Sequence, residues 1–193
     1  MIFEKIYTYG IFISLGLVVY FLSRFKNKNN IKKLVLISEF VTLGTVSRCF
    51  LYFVHYIKPL TSIVIISSFY LGAENGCLVG ILSMLLSNIF LGQGPWTFYQ
   101  MLSAGLVGKF SGLLFNNLKL DKKNLFLISI LNIFFVYAPI MNFSSYFVMY
   151  KNFNLNILSI YLINSIINDI IHVISTIVIL FLLTKYIKKV KFI

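Results

Sequence analysis

A chain of 193 residues that is 59% hydrophobic and only 11% charged, with a mean hydropathy of +0.91, has too few charges to cover a water-facing surface, which excludes an ordinary soluble domain. The 17 Lys and Arg against 5 acids give a formal charge of +12, but the bases stand in short clusters between apolar runs. That distribution excludes a nucleic-acid-binding face and points to a membrane surface instead.

Apolar runs bounded by Lys, Asn, Gly or Pro clusters predict helices near residues 6–25, 33–54, 60–73, 75–92, 97–117, 124–148 and 157–186. The first is read as a retained extra helix rather than a signal peptide. Met1 to Tyr9 holds one Lys and one Glu, and no small-x-small cleavage site follows. Residues 1–28 are thus expected to form an extra N-terminal transmembrane helix with a basic loop, and residues 29–193 a six-helix membrane domain. The third run, about 13 residues, is short for a bilayer of roughly 30 Å. If it crosses, the twelve bases between Arg24 and Lys33, Lys119 and Lys123, and Lys185 and Lys191 share one side, against Lys5, Lys58 and Lys151 on the other. This asymmetry favours seven crossings in a cell membrane, with a cytoplasmic C-terminus and an outer N-terminus.

In the predicted fourth helix, Gly76, Gly80, Ser83 and Ser87 fall on one stripe, and Ala104, Gly108 and Gly112 form a second in the fifth. Small residues at such spacing let helix backbones approach closely. Ser38 and Thr42, four residues apart in the second helix, mark either internal packing or a surface for a partner subunit. Cys49 and Cys77 lie within apolar stretches without Cys-x-x-Cys spacing, so neither a disulfide framework nor a metal site is indicated.

The last helix carries the clearest functional signal. Asn164, Ser165, Asn168, Asp169, His172, Ser175 and Thr176 share an arc of about 140° at 100° per residue, and isoleucines and valine fill the remainder. An ionisable side chain in hydrocarbon is costly unless it faces protein or water, so the stripe is expected to line a cavity or an interhelical seam. Asp169 and His172, at i and i+3, are within reach of each other. Arg48, buried in the second helix by the same reasoning, needs a partner. Asp169 or an anionic ligand group would serve, and snorkelling of the side chain to the outer interface is the alternative. Between the two glycine-bearing helices, Gly92-Gln93-Gly94-Pro95-Trp96-Thr97-Phe98-Tyr99-Gln100 holds the only Trp of the chain. It reads as an interfacial anchor, or as a lid in which Trp96 stacks on a flat ligand while Gln93 or Gln100 supplies hydrogen bonds.

The run from Thr42 to Phe115, with Gly44 to Arg48, Lys58-Pro59, Leu71-Gly72-Ala73-Glu74, Ser87-Asn88 and above all Gly92-Gln93-Gly94-Pro95-Trp96-Thr97 with Gln100-Met101, resembles the substrate-binding S components of energy-coupling factor (ECF) vitamin transporters. It is most similar to the branch with cobalamin-type carriers, as Met141-Asn142 and Asp169-x-x-His172 also suggest. The resemblance covers about residues 31–185. Phe98 departs from the Pro expected there, and Ser38 and Thr42 stand in place of an Ala-x-x-x-Ala coupling motif. The resemblance implies an all-α polytopic bundle that binds a vitamin or precursor, a corrinoid among the candidates. Delivery inward would require a transmembrane coupling subunit and two ATPase subunits. It implies no cofactor and no catalysis in this chain, which has no phosphate-binding Gly-x-x-x-x-Gly-Lys-Ser/Thr loop. Arg48, Gln93, Trp96, Gln100, Asn142, Asp169 and His172 are the expected ligand-binding residues, and Ser38 and Thr42 the expected docking residues. A stand-alone transporter with an Asp169–His172 proton relay is the alternative.

Overall fold

The computed structural model describes residues 31–54, 57–150 and 153–187, and among these every regular element is helical. The helices are α1 (Ile31–Phe50), α2 (Pro59–Leu71), α3 (Ala73–Leu91), α4 (Trp96–Phe115), α5 (Lys122–Asn132), α6 (Ala138–Met149) and α7 (Leu155–Ile187). A π-helical turn, Ile133–Tyr137, joins α5 to α6 in one continuous rod. The result is a six-rod helical membrane bundle with short connections. Ala73–Leu91, Lys122–Met149 and Leu155–Lys185 are each long and apolar enough to cross a bilayer. The expected helix near residues 6–25 lies outside the described residues.

Helix α2 is the centre of the bundle. At 13 residues it spans about 20 Å, and Pro59 to Ser68 are all buried against α1, α3, α4 and α7. Its sequence is apolar all round because protein surrounds it, which is the pattern of a fully buried helix. Polar atoms tie it to α7: Ser62 Oγ donates to the Thr176 carbonyl at 3.1 Å, and Thr61 Oγ1 bonds His172 Nε2 at 2.8 Å. Just before α2, the Lys58 N–H donates to Ser175 Oγ at 2.9 Å.

The small-residue stripes of α3 and α4 bring backbone against backbone. A Cβ at Gly80 would strike the Ala104 carbonyl, one at Gly108 the Gly76 carbonyl, and one at Gly112 the Ala73 backbone. The α3 stripe also serves other neighbours. Gly76 backs onto Ser68 of α2, and Ser83 lies against Gly44 of α1. Gly72 (φ 82°) ends α2 and begins α3 in a single residue, a reversal that only a residue without Cβ makes freely.

Helix α1 buries Ile37, Phe40, Val41, Gly44 and Thr45 at 3.6-residue spacing. It ends at Phe50 rather than near residue 54, because the chain leaves through turns in which Tyr52 N bonds the Cys49 carbonyl and Val54 N the Leu51 carbonyl. Arg48 therefore sits in the last helical turn, at the end of the bundle where α1 gives way to α2.

Candidate functional site

At that end lies a cavity of about 390 Å³ walled by α1, α2, α3, α4, α6, α7 and the α1–α2 connection. Leu51, Val54, Ile57, Met84 and Met141 give it apolar surface. Arg48, Lys58, Gln100, Asn142, Asn168 and Asp169 give it convergent polar groups, the mixture typical of a small-molecule pocket. Tyr137 joins the wall from the π-helical turn. Pro139 follows two residues later, cannot donate a backbone hydrogen bond and disfavours a regular preceding turn. Widened turns of this kind recur at functional sites.

Arg48 reaches across α3 rather than to Asp169. Its Nη1 donates to Ser87 Oγ and, at 2.7 Å, to Asn88 Oδ1, while Nη2 approaches Gln100 Oε1 at 3.4 Å. Asn88, 1% exposed, is the hub: its Nδ2 donates to Gln100 Oε1 at 2.7 Å and to Thr97 Oγ1 at 3.3 Å. Thr97 also accepts from the Gly94 N–H at 3.1 Å, which pins the glycine loop to the start of α4. On the opposite wall, Asn142 Nδ2 donates to Ser165 Oγ at 2.7 Å and Ser165 Oγ donates to Asp169 Oδ2 at 3.0 Å. This chain fixes the carboxylate toward the cavity. Burial lowers the Lys58 ammonium below the ordinary lysine value, and the neighbouring Asp169 charge acts in the opposite direction.

Of the residues expected from sequence, Arg48, Gln100, Asn142 and Asp169 line this cavity together. His172 does not. It is fully buried one turn below, bonded to Thr61 and edge-on to Tyr137 with ring centroids 4.8 Å apart. Asp169 and His172 thus take separate partners, and the polar stripe of α7 divides into a cavity-lining upper part and a seam with α2. Gln93 is exposed, with Nε2 3.4 Å from the Leu85 carbonyl. The exposed Trp96 indole folds over Gly94 of its own loop, outside the cavity lining. Ser38 and Thr42 lie on the outer face of α1, their hydroxyls donating to the Val35 and Ser38 carbonyls at 2.7 and 2.8 Å.

Sequence reasoning does not select Lys58, Asn88 or Tyr137 as site residues, and it places Asn168 only on the polar stripe of α7. The signal available for Asn88 was its place in the Ser87-Asn88 pair. Tyr137 offered none, since a tyrosine in a membrane span is ordinary until a π turn aims it.

No curated protein and no solved structure matches the chain. The sequence profile of one family, described as ECF-type riboflavin transporter, S component, matches residues 28–189. The matched stretch takes in all the described helices and every residue of the cavity wall. Membership makes the chain an integral membrane transport component rather than an enzyme. The chain belongs to the ECF-type riboflavin transporter S component family.

Proposed function

We propose that this protein captures a small vitamin or vitamin precursor from outside the cell in the cavity bounded by Arg48, Lys58, Gln100, Asn142 and Asp169. Release inward follows docking on a transmembrane coupling subunit driven by two ATPases. The observation that carries the reading is the cavity itself: about 390 Å³, part apolar and part polar, with Arg48 and Asp169 held by hydrogen-bond chains on two walls. That volume lies at the low end of the range for small-molecule pockets, roughly 300–1,000 Å³. It suits a ligand of the size of riboflavin, which the family's description carries, or smaller. A corrinoid, with its macrocycle and appended side chains, would require far more space, so we set it below small vitamins as the substrate.

We assign the coupling surface to the exposed face of α1 around Ser38 and Thr42, whose short side chains bond their own backbone and leave room for close approach of another helix. The separate partners of Asp169 and His172 speak against a proton relay between them. Tagged protein extracted from its native membranes in mild detergent tests the assignment. Recovery of a coupling subunit with two ATPases is the expected result. Isolation without them, with uptake that survives loss of ATP but collapses with the proton gradient, would replace this reading by a stand-alone transporter.

A further inference from the structure

We infer that the ligand taken by this cavity carries an anionic group, a carboxylate or a phosphate, received by Arg48 with Lys58 beside it. The inference rests on the capture reading above and is drawn from the charges that line the space. Among the described residues, two cations, Arg48 and Lys58, and one carboxylate, Asp169, are on the cavity wall.

Among the described residues, none of the hydrogen-bond acceptors of Arg48 is charged: they are the Ser87 hydroxyl and the Asn88 and Gln100 amide oxygens. These bonds hold the guanidinium in place without neutralising it. They engage Nη1 twice and Nη2 once, the last at 3.4 Å. A guanidinium has five N–H donors, so part of the fork is left for a further acceptor. Asp169 is held on the facing wall by Ser165, whose hydroxyl donates to its carboxylate at 3.0 Å. Whichever cation Asp169 serves, one positive charge is left over.

An uncompensated charge at the rim of a bilayer, with apolar side chains around it, is costly, and a bound anion is the economical source of balance. Arg is well suited to the task, because its planar fork matches the oxygens of carboxylate and phosphate. The remaining polar groups, Asn142 and Asn168 with the Asp169 carboxylate, then face the uncharged or donor-bearing end of the same molecule. The ligand class that fits is a vitamin-sized anion with hydrogen-bond donors at its far end.

Matched pairs of ligands that differ in charge decide the matter: riboflavin against riboflavin 5′-phosphate, nicotinamide against nicotinate, and pantothenol against pantothenate. Each is titrated calorimetrically into purified full-length protein and into Arg48→Gln and Arg48→Lys variants that melt cooperatively. The expected result is at least one anion that binds about tenfold or more tightly than its neutral twin, the scale of a charge-assisted hydrogen bond. Arg48→Gln should remove that advantage and Arg48→Lys should keep part of it. Neutral twins that bind as well as the anions, or better, would overturn the charge inference while leaving the capture reading in place. Failure of every pair to bind folded protein would overturn both.

Discussion

The hub position of Asn88 makes a sharp test of how the site is built. Asn88→Ala removes the acceptor that holds Arg48 Nη1 at 2.7 Å and the donor that holds Gln100 Oε1 at 2.7 Å, in a side chain that is 1% exposed. A hydrogen bond to a charged group contributes about 1.5–3 kcal/mol in soluble proteins, and interhelical bonds in membranes average about 0.6 kcal/mol. Taking the low end of the first for Arg48 and the second for Gln100 gives a loss of about 2 kcal/mol. The assay is thermal melting in detergent, paired with calorimetric titration of the native ligand. Asn88→Asp provides the contrast: it keeps an acceptor for Arg48, and the Gln100 amide can turn to donate to it. Melting should then stay near wild type, while affinity for an anionic ligand falls because the new carboxylate occupies the guanidinium. Wild-type melting and affinity in Asn88→Ala would refute the hub, and unchanged affinity in Asn88→Asp would refute Arg48 as the ligand's cation.

Gly80→Val and Gly108→Val should each lower stability by about 1–3 kcal/mol, because the added side chain meets a facing backbone carbonyl that cannot move aside; unchanged melting temperatures would show that α3 and α4 do not touch there. Thr61→Val should cost about 1 kcal/mol by breaking the bond to the buried His172, and an unchanged melting temperature would show that this bond does not hold the seam between α2 and α7. Trp96→Ala should leave affinity within about 0.5 kcal/mol of wild type, the usual range for a surface change away from a site, since the indole lies on Gly94 outside the cavity lining. A loss of 1–3 kcal/mol, the scale of aromatic stacking on a planar ligand, would instead make Trp96 a lid.

The helices were legible because each apolar run is bounded by residues that stop it, and the polar stripe of α7 was legible because hydrocarbon does not tolerate unpartnered amides and carboxylates. Periodicity says that such residues share a face, but not what the face meets. Asp169 meets the cavity, whereas His172 and Thr176 meet Thr61 and Ser62, more than a hundred positions earlier in the chain. The same limit governed Arg48. Charge reasoning offers Asp169 or a ligand anion as its partner, yet the guanidinium is held by a serine and two amides, residue types whose pairing leaves no mark in a single sequence. Trp96 illustrates a local version: a loop with two glycines lets the ring fold back on its own backbone, a choice set by turn geometry rather than by residue identity. The shortness of α2 was visible, but its meaning, a helix enclosed by four others, depends on packing alone.

The central claim is that the cavity at the end of α1 receives the substrate. Mass spectrometry of small molecules retained by the protein, purified from native membranes beside a folded Arg48→Met, Asp169→Asn double variant, tests it most directly. The account predicts one vitamin-sized molecule close to equimolar in the wild type and depleted in the variant. The same molecule retained equally by both proteins would contradict it.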